Sequence, residues 1–107
     1  METYRIQRDD DKDLKFTGNE IASVTSTPDM AMGRRYANES TVLSLYKTQA
    51  GAMVCERATC LMEDGERDIQ EAAACYSVDA VIKFFGTDWL AKELYDRAGI
   101  EAVEIIA

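Results

Sequence analysis

Between Thr41 and Tyr76 the chain alternates, breaks and alternates again, and this pattern restricts the fold more than any other feature. "TVLSLYKT" is rich in strand formers, "QAG" supplies a turn at Gly51, and "AMVCERATCLM" resumes the strand pattern. The polar "EDGERD", with Gly65, then leads into "IQEAAACY", whose alanines have weak strand propensity. The stretch reads as an antiparallel meander. Pairing Leu45 with Cys55 across the first turn sets Leu43 opposite Arg57 and Lys47 opposite Met53. Pairing Cys55 with Cys75 across the second sets Leu61 opposite Ile69. One face then gathers Leu43, Leu45, Met53, Cys55, Leu61, Ile69, Ala73 and Cys75. The other gathers Ser44, Tyr46, Thr48, Val54, Glu56, Ala58, Gln70, Ala72 and Tyr76, a smaller and more polar set. That asymmetry fits a sheet covered on one side, and a one-residue slip would exchange the two sets.

The C-terminal third is helical. Ser77 can cap "VDAVIKFF", where Val78, Val81, Ile82 and Phe85 recur at helical spacing, Asp79 suits the first turn and Gly86 ends the segment. Thr87 can cap a second helix carrying a stripe of Leu90, Ala91, Leu94 and Ala98, which Gly99 stops with Ile100 packing back. "EAVEIIA" reads as a last strand with Val103 and Ile105 on one side. Toward the N-terminus, residues 20–26 read as a strand, and Pro28 marks a connection. Residues 1–13 are either a short strand or a flexible segment. The expected fold is α+β: an antiparallel sheet of at least a three-strand meander plus a C-terminal strand, with two consecutive α-helices on one face.

Composition narrows the function classes. The 107 residues suit one domain, and 47% hydrophobic with 30% charged residues places the chain among ordinary globular proteins. No apolar run reaches the roughly 18 residues of a membrane span, and the charged start "METYRIQRDDDKD" lacks a signal-peptide core, so a cytoplasmic location and no membrane partner are expected. A net charge of −8 repels phosphate backbones, and Arg34-Arg35 is the only adjacent basic pair, so direct nucleic-acid binding is not expected. With no histidine, Ser-His-Asp and Cys-His catalysis and the HExxH zinc helix are excluded. Gly18 and Gly33 stand alone, outside any phosphate-binding loop.

Several residue groups could carry chemistry. Cys55 and Cys60 are separated by an odd interval inside a strand pattern, so their side chains face opposite ways and cannot share a zinc ion. Cys55 and Cys75 can approach across the meander, as neighbouring reduced and buried thiols. Asp9, Asp11, Asp13 and Glu20 fall at the first, third, fifth and twelfth places of an EF-hand-like loop, but Leu14 stands where glycine makes the sharp turn and the flanks are β-like. Glu63, Asp64, Glu66 and Asp68 crowd one polar loop around Arg67. Trp89 and Tyr95, read as lying off the Leu90/Leu94 stripe, could anchor a partner, as could Tyr46 and Tyr76. The expected function is a noncatalytic protein–protein interaction or accessory module without a cofactor. Its partner is another protein or a second copy of the chain, with an acidic inhibitor of a nucleic-acid-handling protein as a special case. The alternative is a small carboxylate-dependent calcium- or magnesium-binding protein or enzyme.

Overall fold

A computed structural model describes residues 1–26, 39–61, 69–103 and 106. The order is β1 (Glu2–Ile6), β2 (Leu14–Ser26), β3 (Glu39–Thr48), β4 (Met53–Leu61), β5 (Ile69–Cys75), α1 (Val78–Phe85) and α2 (Trp89–Ala98). The strands form one antiparallel sheet in sequence order, with both helices packed against it, so the fold is α+β. The "QAG" hairpin has the expected register: Leu45 pairs with Cys55, Leu43 with Arg57 and Lys47 with Met53. Gly51 adopts a positive φ of 93° in that turn, where a side chain would be strained.

The second hairpin is displaced by two residues from the expected pairing. Cys55 faces Ala73 and Cys75 faces Met53, while Ile69 faces Thr59 rather than Leu61. A shift of two preserves the faces because strand side chains alternate with period two. The helix-side core therefore still contains Leu43, Leu45, Cys55 and Cys75, with Met53 and Ala73 against it. Ile69, by contrast, is exposed at the start of β5.

Further departures mark the ends. Of the two readings for residues 1–13, the chain takes the strand over Glu2–Ile6. β2 begins at Leu14, six residues before the expected start. Asp88 caps α2 instead of Thr87, accepting from the Ala91 N–H at 2.9 Å. Ser77 caps α1 as expected, and Gly99 ends α2 in the left-handed region. The expected last strand is not formed over 101–103 or at Ile106, which are irregular; Ile105 lies outside the described residues. So do Pro28, Gly33, Arg34-Arg35 and the acidic stretch from Glu63 to Asp68.

β1 and β5 are the two edges of the sheet, yet the segment joining β1 to β2 bridges them. The Asp9 N–H donates to the Gln70 carbonyl at 3.0 Å, and the Gln70 N–H donates back to Asp9 Oδ2 at 2.9 Å. Arg8 adds a long contact to the Ala72 carbonyl, 3.5 Å, while its Nε donates to the Lys12 carbonyl at 2.6 Å. To allow this the sheet must curl away from the helices. A second apolar cluster of Ile6, Tyr46, Val54 and Ala72 fills the inside of the curl, with Tyr4, Leu14 and Phe16 beside it. The other exposed edge is treated similarly. β1 pairs only with residues 14–18 of β2, and Arg97 of α2 donates to the Ser23 carbonyl farther along, 3.2 Å.

Unpaired strand edges recruit other chains, so the Asp9 clasp serves to blunt β5. Asp9→Ala should leave the Gln70 N–H without its carboxylate, with about 1–2 kcal/mol lost and faster amide exchange at Gln70. It should also shift the chain toward larger species in sedimentation at high concentration. Unchanged Gln70 exchange would show that the clasp does not hold in solution.

Candidate interaction surface

The surface opposite the helices is built by a fault in β2. The register with β3 shifts between Glu20 and Ala22, leaving Ile21 as the extra residue of a bulge. Before the bulge, even-numbered Leu14 and Phe16 belong to the curled-side cluster. After it, even-numbered Ala22 and Val24 belong to the helix-side core. One strand thus serves both layers. Gly18, midway along it, is buried between Glu2 of β1 and Thr48 of β3, and a Cβ there would lie 2.1 Å from the Lys47 carbonyl oxygen.

The same alternation sorts the charges. Arg5, Lys15, Lys47 and Arg57, the described strand cations, lie by alternation on the helix side. Glu2, Glu20 and Glu56 lie on the curled side with Tyr4, Phe16 and Tyr46. Glu71, on the helix side, sits 3.7 Å from Arg57. The three rings contact one another, with centroids 5.3 Å apart for Tyr4 and Phe16, 4.8 Å for Tyr4 and Tyr46, and 5.4 Å for Phe16 and Tyr46. Tyr4 and Phe16 are partly exposed, and Glu2 and Glu20 beside them are exposed. Among the described residues neither of these glutamates makes an ion pair.

Tyr46 joins the rings to a polar row. Its hydroxyl donates to Glu56 Oε1 at 3.0 Å, and the Ser23 and Ser44 hydroxyls meet at 3.2 Å in the neighbouring row of the sheet. Burial, and then the Glu56 carboxylate, push the Tyr46 phenol well above its ordinary value of 10.0.

The residues named from sequence are scattered. Tyr95, only 1% exposed, packs in the helix-side core, whereas Tyr46, 8% exposed, belongs to the ring cluster of the curled face. Tyr95 follows Leu94 directly but still belongs to the buried side of α2 with Leu90 and Ala91; the apolar stripe is wider than the Leu90/Leu94 spacing suggested. Its hydroxyl donates to the Gly86 carbonyl at 2.6 Å, tying α2 to the end of α1. Burial first, then neighbouring Cys55 and Asp88, push it up to about 12. Trp89 and Tyr76 are 48% and 83% exposed, at the start of α2 and in the link before α1.

The four carboxylates of the EF-hand-like spacing have separate duties. Asp9 holds Gln70, Asp11 lies 3.5 Å from Arg8, Asp13 is 3.0 Å from Arg5, and Glu20 stands on β2. Among the described residues no three metal-ligating side chains gather. Arg57 donates to the Phe84 and Phe85 carbonyls at 2.9 and 3.3 Å and lies over the Phe84 ring. It thereby satisfies the orphan end of α1.

Sequence reasoning did not pick out Tyr4, Phe16 or Glu56 as members of a site. The only signal was the pairing of "TYRI" with "LKFTG", visible once both are taken as strands across the acidic turn. Among the described residues no helix is long and apolar enough to cross a membrane. Comparison with protein-family models, curated proteins and solved structures finds no match for this chain.

Proposed function

We propose that this chain is a noncatalytic protein-binding module of the cytoplasm whose curled sheet face receives a basic segment of another protein. The observation that carries the reading is the sorting of strand charges: cations on the helix side, and Glu2, Glu20 and Glu56 with the Tyr4–Phe16–Tyr46 rings on the other. A lysine or arginine over an aromatic face gains roughly 0.5–1 kcal/mol at an exposed site, and adjacent carboxylates add attraction and steering. Arg8, reaching Ala72 from the linking segment, is the cation described at one end of this face. Two copies meeting through this face would bring like charges together, which favours a foreign basic partner over self-pairing here. An inhibitor seated in a basic, nucleic-acid-handling cleft is a special case.

The test separates a site from general acidity. A short Lys/Arg-rich peptide is titrated into the labelled protein and followed by amide chemical shifts. Glu20→Lys and Asp96→Lys change the net charge equally, but Asp96 is an exposed residue of α2. Shifts should centre on Tyr4, Phe16, Glu20 and Tyr46, and Glu20→Lys should weaken binding about fivefold, equivalent to roughly 1 kcal/mol. Equal weakening by Asp96→Lys, or shifts centred on the helices, would refute the reading.

A further inference from the structure

The core beneath the helices contains two thiols with no part in the proposed binding face. Cys55 of β4 and Cys75 at the end of β5 are both buried, and their sulfurs lie 3.5 Å apart. They are diagonal neighbours on one face, because Cys55 pairs with Ala73 and Cys75 with Met53. The two strands therefore hold them in register with a thiol hydrogen bond and no covalent link between them. A disulfide needs the sulfurs at about 2.05 Å, so they must close by about 1.5 Å, and because diagonal strand neighbours lie about 7–8 Å apart, the end of β5 must draw toward β4 as the side chains rotate. Among the described residues no third ligand gathers with them, and Cys60, an odd interval from Cys55, points to the other face.

We propose that Cys55 and Cys75 are a latent intramolecular disulfide, closed when the chain meets a low-molecular-weight disulfide such as oxidised glutathione. The thiolate of one cysteine attacks a sulfur of the small disulfide, whose S–S bond breaks and releases one small thiol. The second cysteine, as its thiolate, attacks the protein sulfur of the mixed disulfide and expels the second small thiol. Two protein S–H bonds are replaced by one S–S bond, and the two electrons and two protons end on the two released thiols.

Cys75 is the entry point. It ends an edge strand whose outer side is held, among the described residues, by Asp9 and Arg8 at Gln70 and Ala72, while its C-terminal end is joined to β4 and leads into α1. Fraying there exposes Cys75 before Cys55, which lies mid-strand between β3 and β5. Burial and the hydrogen bond with Cys75 raise the Cys55 thiol, which leaves the first attack to Cys75 at the strand end. The bond would pin the base of α1 to the centre of the sheet.

The experiment uses the wild-type chain and a Cys60→Ser variant, equilibrated in glutathione buffers of increasing oxidised fraction. Samples are quenched in acid, denatured, alkylated, digested and weighed. The expected product has lost two hydrogens, with the Cys55 and Cys75 peptides joined in both proteins. Its Tm should rise by roughly 5 °C or more and return on reduction. Recovery of Cys55 and Cys75 both alkylated at the most oxidising ratio would overturn the proposal, whatever happens at Cys60. A joined pair with a lowered Tm would also overturn it, since the native core would then not accommodate the bond.

Discussion

Gly18→Ala is expected to lower stability by about 3 kcal/mol, at the upper end of what an added methyl does in a close-packed site. The added Cβ would lie 2.1 Å from the Lys47 carbonyl oxygen and 2.9 Å from the Thr48 Cα, both backbone atoms that cannot swing aside like a flexible side chain. Relief requires β2 and β3 to separate where Gly18 pairs with Thr48, beside the bulge that switches β2 from one layer to the other. Urea unfolding measures the effect as a fall in midpoint with unchanged slope. A larger residue such as valine should do more harm than alanine despite its better strand propensity, which separates crowding from propensity. A loss below about 0.5 kcal/mol, the range of an ordinary surface change, would show that the strands are not this close in solution.

Arg57→Ala should rank second, at roughly 2–3 kcal/mol. The guanidinium gives charged hydrogen bonds to two carbonyls at the end of α1 and covers the Phe84 ring, and hydrogen bonds of this type contribute about 1.5–3 kcal/mol. Its removal also leaves Lys83 as the cation in the last turn of α1. Arg57→Lys should recover only part of the loss, because a single ammonium cannot serve both carbonyls while lying flat on a ring. The distinguishing readout is local: amide exchange should rise in the last turn of α1 more than in β4. Uniform change across the chain, or full rescue by lysine, would argue against a role at the helix end.

The legible and hidden parts differ in kind. The Leu43–Leu45–Cys55 face could be read because alternation on both sides of "QAG" admits one sensible register. The second hairpin slid by two residues because alanines in β5 pair equally well at several positions, yet its faces survived since two is a whole period. β2 was half missed. Its glycine depresses strand propensity and its bulge at Ile21 interrupts the alternation on which recognition depends. Tyr95 was read as lying off the Leu90/Leu94 stripe because it directly follows a stripe leucine, whereas the helix buries a wider arc that includes it. The acidic run looked like a metal loop because spacing alone cannot tell which carboxylate will meet an arginine and which a strand edge.

Alone, the sequence determined the alternating ribbons between Thr41 and Tyr76, the two helices that follow them, and a net charge of −8. Such properties arise from neighbours a few positions apart, so local periodicity and capping residues suffice to read them. Only the tertiary structure decided which charges share a face, that Asp9 closes the edge at Gln70, and that Cys55 and Cys75, expected to be neighbours, meet diagonally instead of directly opposite. Each of these depends on where distant strands meet and which way a bulge turns them, and that is settled by packing across the whole sheet.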